Sequence, residues 1–114
     1  MPRIRLSQLA HARSGDKGGG ANVGVIARSP AAFAFLRSAL SAEAVQAFFR
    51  PLGAGRVVRY ELANLGALNF VLPHVLAGGG SVSLRTDAQG KALGQVLLEM
   101  ELDVPDDVLA EASR

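Results

Sequence analysis

The stretch from His11 to Asn22 is the part of this chain that most constrains how it can fold. Its twelve residues, HARSGDKGGGAN, carry one imidazole, two cations, one carboxylate, one hydroxyl, one amide and four glycines. Glycine adopts backbone conformations that other residues avoid, and it lets a partner approach the backbone closely. We therefore predict a glycine-rich loop between two strands. Two interpretations stay open: backbone N–H groups that converge on an anion, or a solvated connection that binds nothing.

Charged side chains within this stretch supply the candidate chemistry. Arg13 and Lys17 are the cations that would hold a phosphate or a carboxylate. His11 is the candidate acid or base, because imidazole changes its protonation state near neutral pH. Asp16 is expected either to orient His11 or to form an exposed ion pair with Lys17 or Arg13, worth about 0–1 kcal/mol.

Uncharged residues of the same stretch complete the candidate substrate contacts. Ser14 is expected to donate a hydrogen bond to the anion, and Gly18 and Asn22 are expected to contact it. As a nucleophile, Ser14 would need a base such as His11 in reach and an oxyanion hole.

Two asparagines further along the chain are also candidates. Asn64 and Asn69 are predicted to contact substrate, although Asn64 could equally be only a helix cap. His74, with the glycines at 78–80, is a further candidate, and its alternative is a hydrogen-bonded structural histidine.

The composition limits the class of protein. A chain of 114 residues with 49% apolar residues is long enough for one domain with a core. It has no Cys and two His, so we predict no disulfide, no metal site and no cofactor. The first residues lack the apolar run of a signal peptide, and no run could span a membrane, so a cytoplasmic protein without membrane association is expected. Five Phe, one Tyr and no Trp argue against a base-stacking nucleic-acid surface.

The net charge of +2 conceals an asymmetry between the two halves of the chain. Residues 1–60 carry nine basic and two acidic groups, whereas residues 61–114 carry three basic and eight acidic groups. The basic residues are spread singly rather than clustered, which argues against a nucleic-acid patch. We expect the halves to neutralise each other on folding, or to assemble head to tail.

The spacing of apolar residues predicts five strands and three helices. The predicted strands are 3–9, 22–27, 56–62, 81–86 and 96–104, the last two being linked through a hairpin turn at 87–91. The predicted helices are 31–40, 42–50 and 64–76, with Ser29, Ser41 and Asn64 as caps. Residues 106–114 are expected to be a helical turn or a tail. Within the second strand, Gly24 is a position where a neighbour can approach closely.

This order predicts an α+β fold with one sheet of about five strands and helices covering one face. Glu99, Glu101 and Asp103 would then form an acidic stripe along one face of the last strand. We expect this stripe to be a solvated surface that opposes edge aggregation, and cation binding is the weaker alternative.

Three segments of the sequence resemble one known family, in the same order along the chain. They are HARSGDKG at 11–18 with ANVGVIA at 21–27, YELANLGALNF at 60–70, and GGGSVSL at 78–84. These segments resemble the AtuA-like ferredoxin-fold domain. The resemblance covers residues 3–105 as a single domain and leaves 106–114 as a C-terminal tail. It implies a ferredoxin-like sandwich with a mainly antiparallel sheet.

The resemblance also implies a biological setting. The family is associated with bacterial breakdown of acyclic terpenes of the citronellol and geraniol type, through acyl-CoA intermediates. In the acyclic terpene utilisation protein this domain follows a much larger one, and it also occurs as a separate small protein. The chain lacks the large domain, so a separate, larger AtuA-like partner is expected.

Three functional hypotheses follow. The first is an accessory subunit that gives its glycine-rich loop to a shared site for an acyl-CoA or carboxylate substrate. The second is a stand-alone enzyme acting on a CoA thioester, with His11 as acid or base. The third is a purely structural assembly module. In each case we expect a homo-oligomer, because exposed sheet edges favour symmetric association.

Overall fold

The strands and helices are described by a computed structural model for residues 3–17, 20–50, 56–72 and 93–112. Six strands lie in this part of the chain: β1 Arg3–Arg5, β2 Ala10–Lys17, β3 Gly20–Ala27, β4 Val58–Leu62, β5 Ala67–Leu72 and β6 Glu101–Asp103. Four helices accompany them: α1 Pro30–Ala39, α2 Ala42–Phe48, α3 Leu93–Leu97 and α4 Asp106–Ala112. The predicted strand 81–86, the turn 87–91, His74 and the glycines 78–80 lie outside the described residues.

An antiparallel sheet of four strands, in the order β2-β3-β5-β4, forms the centre of the fold. The chain leaves β3, passes through α1 and α2, and returns as β4 with one strand position left between them. β5 fills that position, which makes a split β-α-β unit of the ferredoxin-like type. The predicted α+β class with mainly antiparallel strands is therefore confirmed. The described strands are divided between this sheet and a separate pair formed by β1 and β6, whereas the sequence predicted one sheet of about five strands.

The described helices lie on one face of the sheet, and the core lies between the helices and this face. Every second residue of β3 and β5 is buried there, as the period of two in a strand requires. The buried residues that define this core are Val23, Val25, Leu36, Leu40, Val45, Phe49, Leu68, Phe70, Leu72, Leu93 and Leu97.

Two of the three predicted helix starts are confirmed. Ser29 Oγ accepts a hydrogen bond from Ala32 N at 3.0 Å, and Ser41 Oγ accepts one from Ala44 N at 3.0 Å. Each serine therefore satisfies a backbone donor that the first helical turn leaves without a partner.

The predicted loop over residues 11–22 is wrong for the part that the structure describes. β2 and β3 form a hairpin whose register runs from Ala10 opposite Ala27 to Lys17 opposite Gly20. The backbone of β2 pairs with that of β3 in an antiparallel hydrogen-bond ladder. The N–H groups of these strands therefore do not converge on an anion, although residues 18–19 lie outside the described part.

The predicted helix 64–76 is also wrong over residues 64–72, the part of it that the structure describes. Ala63–Leu65 forms a single 3₁₀ turn that ends at Gly66, whose φ of 60° suits glycine, and β5 follows. Asn64 is exposed on this turn and caps no helix. In β5 the alternation of buried Leu68, Phe70 and Leu72 with half-buried residues has the period of a strand.

The predicted strand 96–104 is half wrong. Leu93, Gly94 and Leu97 are buried in α3 at the spacing of one helix face, and the strand β6 begins only at Glu101. The predicted first strand is likewise shorter, because a 3₁₀ turn over Leu6–Gln8 follows β1. After β6, the chain forms the two turns of α4.

The acidic stripe pairs with arginines on β1. Arg3 contacts Glu101 at 3.0 Å and Asp103 at 3.5 Å, and Arg5 contacts Glu99 at 3.7 Å. The hydrogen bond to Glu101 and the charge of Asp103 raise the pKa of Arg3 above its ordinary, already alkaline value. The stripe is therefore a solvated, ion-paired surface.

Candidate functional site

The face of the sheet opposite these helices carries the candidate site, and we call it the open face. It is formed by the alternate residues of the four strands: His11, Arg13, Gly15, Asn22, Gly24, Ile26, Val58, Tyr60, Leu62, Ala67, Asn69 and Val71. Because facing residues of neighbouring strands share a side of the sheet, these residues form three rows across it. The middle row is Arg13, Gly24, Asn69 and Tyr60.

A cavity of about 520 Å³ lies on this face. Its volume falls within the range of small-molecule sites in proteins. The residues around it come from β2, β3, the end of β4, the following turn and β5: Arg13, Ser14, Gly15, Asn22, Gly24, Ile26, Leu62, Leu65, Ala67, Leu68 and Asn69. The register places the polar members in one half of the cavity and most of the apolar members in the other.

Arg13, Asn22 and Asn69 form the polar half. Asn22 Nδ2 donates a hydrogen bond to Asn69 Oδ1 at 3.4 Å. With this orientation of the two amides, Asn69 Nδ2 remains a donor. Arg13 is exposed and takes part in none of the ion pairs between described residues. This half of the cavity therefore offers one positive charge and amide donors, which suits a single anionic group.

Ile26, Leu62, Leu65 and Ala67 form most of the apolar half. Leu62 is 41% exposed and Leu65 is 65% exposed, so two large apolar side chains lie at the surface beside the same cavity. A hydrocarbon chain lying on these side chains would remove their surface and its own from water. Together the two halves suit an amphipathic ligand with an anionic head.

His11 lies on the open face but does not line the cavity. Its Nε2 is 3.0 Å from Nη1 of Arg28, and Arg28 also donates to the carbonyl oxygen of Ser7. Because a guanidinium only donates, Nε2 is the acceptor in this hydrogen bond. His11 is therefore engaged by an arginine, and its predicted role as acid or base has no support from the cavity.

Ser14 lines the cavity, yet its hydroxyl is used inside the fold. Ser14 Oγ accepts a hydrogen bond from Gly94 N at 3.1 Å, which fixes α3 against β2. The structure offers no contact between Ser14 and His11 of the kind that nucleophilic catalysis needs. Ser14 in this structure is a packing and hydrogen-bonding residue.

Four of the predicted site residues, Arg13, Ser14, Asn22 and Asn69, thus surround one cavity, and their role in binding stays a prediction. Asn64 does not line it. Asp16 and Lys17 belong to β2 by their backbone, but their side chains lie outside the described part, as does Gly18.

The apolar wall was not predicted from the sequence. The signal was present in β4, where Val58, Tyr60 and Leu62 alternate with charged residues. The interpretation of 64–76 as a helix concealed it, because only β5 places that alternation beside the asparagines. Arg28, the partner of His11, carried no signal in the sequence.

Neither a metal-binding cluster nor a membrane-spanning helix occurs in the described ranges. No group of three or more His, Cys, Asp or Glu side chains there is arranged to hold a metal ion. None of the described helices combines the length and the apolar character needed to cross a bilayer.

The fold and the cavity together define a small α+β protein with a split β-α-β sheet and a ligand-sized concavity on the face that the described helices leave uncovered. Comparison with protein families gives a match to the AtuA ferredoxin-like domain over residues 4–103, nearly the whole chain. The chain belongs to this family. Comparisons with curated proteins and with solved structures gave no match.

Proposed function

We propose that the chain is a small accessory subunit of an AtuA-like catabolic system acting on acyclic terpenoid carboxylates or their acyl-CoA esters. In this proposal the open face forms one wall of a site that a larger AtuA-like protein completes. The observation that carries the proposal is the division of the cavity into a cationic, amide-lined half and an apolar half.

The ligand class follows from that division. A branched hydrocarbon acid has one negative charge and a long apolar tail. Arg13 and the asparagine amides match the first, and Ile26, Leu62 and Leu65 match the second. Apolar burial is worth about 25 cal/mol per Å², so the tail would supply most of the affinity and the charged end would supply orientation.

The proposed partner is supported by the side chains left exposed on the same side. Val58, Tyr60, Leu62 and Leu65 are the large apolar residues with high exposure in the described part of the chain, and all four lie on or beside the open face. Clustered exposed apolar residues of this kind mark interaction surfaces. A partner resting on them would close the cavity from above.

The alternative of a stand-alone enzyme with His11 as acid or base has less support. The cavity lining offers Arg, Ser and Asn as its polar side chains, and the imidazole is hydrogen-bonded to Arg28. A purely structural module remains the second candidate, because the exposed apolar residues would serve it equally well. Ligand binding separates the two.

The first experiment captures the tagged chain from extract of its native cells at moderate salt and determines the mass of the complex. We expect a stoichiometric complex with a larger AtuA-like protein. Recovery of the chain only with itself, under conditions that preserve known complexes, would contradict the accessory role.

The second experiment measures binding of citronellate, and of the alcohol citronellol as the uncharged comparison, to the chain and to any captured complex. We expect the carboxylate to bind more tightly. Replacing Arg13 by Gln should weaken citronellate binding by roughly 10–100-fold, because a charged hydrogen bond is worth about 1.5–3 kcal/mol. Arg56→Gln, an exposed residue outside the cavity lining, is the matched control. Equal losses in both variants would show that Arg13 acts only through its charge at long range and makes no direct contact with the ligand.

A further inference from the structure

Gly24 occupies a position where neither the backbone nor the packing calls for glycine. It lies within β3, at the centre of the sheet, where a glycine weakens a strand. Its φ is not positive, since Gly66 is the glycine with positive φ among the described residues. A Cβ built on Gly24 would meet its nearest neighbours, Arg13 O and Asn69 Oδ1, at 3.8 and 3.9 Å. These are ordinary contacts, so the fold has room for a side chain here.

The place that such a side chain would fill is inside the cavity. In the middle row of the open face, Gly24 stands between Arg13 on β2 and Asn69 on β5. Neighbouring strands are about 5 Å apart, so these two polar residues flank a gap of about 10 Å between their Cα atoms. The floor of that gap is the bare backbone of Gly24.

We propose that Gly24 determines the ligand specificity of this site: its missing side chain leaves the seat in which a carboxylate lies between Arg13 and Asn69. This inference rests on the proposed function, in which the cavity binds a carboxylate. In this proposal the guanidinium of Arg13 donates to the carboxylate from one side. On the other side the amide of Asn69, whose Oδ1 faces Gly24 in this structure, turns so that Nδ2 donates. A methyl group at position 24 would hold the carboxylate away from both donors.

Gly15 provides a matched comparison within the same cavity. It also lies in a strand, also lines the cavity and also has space for a Cβ, whose nearest neighbour would be Asn22 Oδ1 at 3.5 Å. However, Gly15 is in the neighbouring row, beside Asn22 rather than between Arg13 and Asn69. The two alanine variants therefore add the same group to the same cavity, and only one of them adds it to the seat.

The test measures citronellate and citronellol binding by calorimetry to the full chain, or to its complex with the captured partner, for the wild type, Gly24→Ala, Gly24→Val and Gly15→Ala. Thermal unfolding is recorded for each variant. We expect Gly24→Ala to unfold at the wild-type temperature or above, to weaken citronellate binding at least tenfold, and to change citronellol binding less than threefold. Gly24→Val should abolish citronellate binding, and Gly15→Ala should weaken it clearly less than Gly24→Ala does.

The outcomes separate this inference from the proposed function. If the wild type binds neither probe, both fall together. If the wild type binds citronellate and Gly24→Ala binds it equally well, the proposed role of Gly24 is wrong. The proposal that the cavity binds a carboxylate is then retained. Equal losses for citronellate and citronellol would show that position 24 controls only the cavity volume, which also overturns the seat. Unfolding of Gly24→Ala would mean that the fold itself requires this glycine, and would overturn it too.

Discussion

At the scale of single residues, Gly94 fixes how closely α3 approaches the sheet. A Cβ at this position would lie 3.3 Å from Ala12 Cβ and 3.3 Å from Ser14 Oγ. Ala12 Cβ is held by the backbone of β2, and Ser14 Oγ is held by its hydrogen bond from Gly94 N. Ala12 Cβ cannot move without moving the strand, and Ser14 Oγ cannot turn away without losing that hydrogen bond, so the close packing favours glycine.

Gly94→Ala should therefore lower the free energy of unfolding by about 1 kcal/mol. Overpacking costs about 1–3 kcal/mol, and the better helix propensity of alanine returns up to about 1 kcal/mol. Urea denaturation measures the difference. Gln95→Ala, at the exposed next position of α3, is the control and should change stability by less than about 0.5 kcal/mol.

A double-mutant cycle tests the cause of this loss. In a Ser14→Ala background the oxygen at 3.3 Å is gone, so Gly94→Ala should cost less than it does in the wild type. A cost that is the same in both backgrounds would exclude the contact with Ser14 and leave Ala12 as the source.

At the scale of elements, α1 and α2 depend on their serine caps. Both helices are short, with 10 and 7 residues, so each has few internal hydrogen bonds to spare. Ser29→Ala and Ser41→Ala should each lower the free energy of unfolding by about 1 kcal/mol, because a backbone N–H loses its acceptor. Ser38→Ala, on the exposed side of α1, should have almost no effect in the same chemical denaturation. A loss at Ser38 equal to that at the caps would contradict the assignment.

These caps also illustrate which elements a sequence can reveal. The local signals are Ser29, which is followed by proline, and Ser41, which precedes an apolar helix face. The helices begin where these signals predict. β3 and β4 were likewise found from a run of β-branched residues. In each case the information lies within a few residues of the element.

The elements that were predicted wrongly are those that a distant partner decides. Residues 67–72 are apolar enough for a buried helix or a buried strand, and the open edge of β3 makes them a strand. Residues 93–97 become helical because Gly94 fits against β2, some eighty residues away in the chain. Neither constraint is visible within the segment itself.

The candidate site likewise combines features that local sequence reveals with features that a distant partner decides. Arg13, Asn22 and Asn69 were chosen by residue type, and a hairpin rather than a loop brings them to one face. Their meeting depends on register, and a shift of one residue would send each side chain to the opposite face.

At the scale of the whole molecule, opposite charges from the two halves of the sequence meet on its surface. All five ion pairs among the described residues join an arginine from residues 1–60 to a carboxylate from residues 61–114. The asymmetry of the sequence is thus used for self-neutralisation on folding. Four of the five pairs join side chains that are each more than a third exposed, so they add little to stability.

The open face should make the isolated chain self-associate. Val58 is 40% exposed and Tyr60 is 53% exposed, and both lie on the edge strand β4 without lining the cavity. We expect a dimer or larger oligomer in sedimentation analysis at micromolar concentration, because burying this patch removes apolar surface from water. Val58→Lys with Tyr60→Lys should shift the chain to a monomer.

The control for this experiment adds the same charge elsewhere. Gln95→Lys places a lysine on an exposed position of α3, on the helix side of the sheet, and should leave the mass unchanged. A wild-type chain that sediments as a monomer at high concentration would show that this patch requires a different partner.

The pairing of β1 with β6 sets the order in which the protein can be completed during synthesis. Arg3 contacts Glu101, 98 residues further along the chain. A ribosome adds about 5–20 residues per second, so β1 waits at least several seconds for its partner to be made. The hairpin of β2 and β3 can form early, whereas the final strand pair closes only once the last segment has emerged. Because closing a longer segment costs more chain entropy, we expect this pair to form after the β2–β3 hairpin. An unpaired β1 is exposed to wrong partners until then.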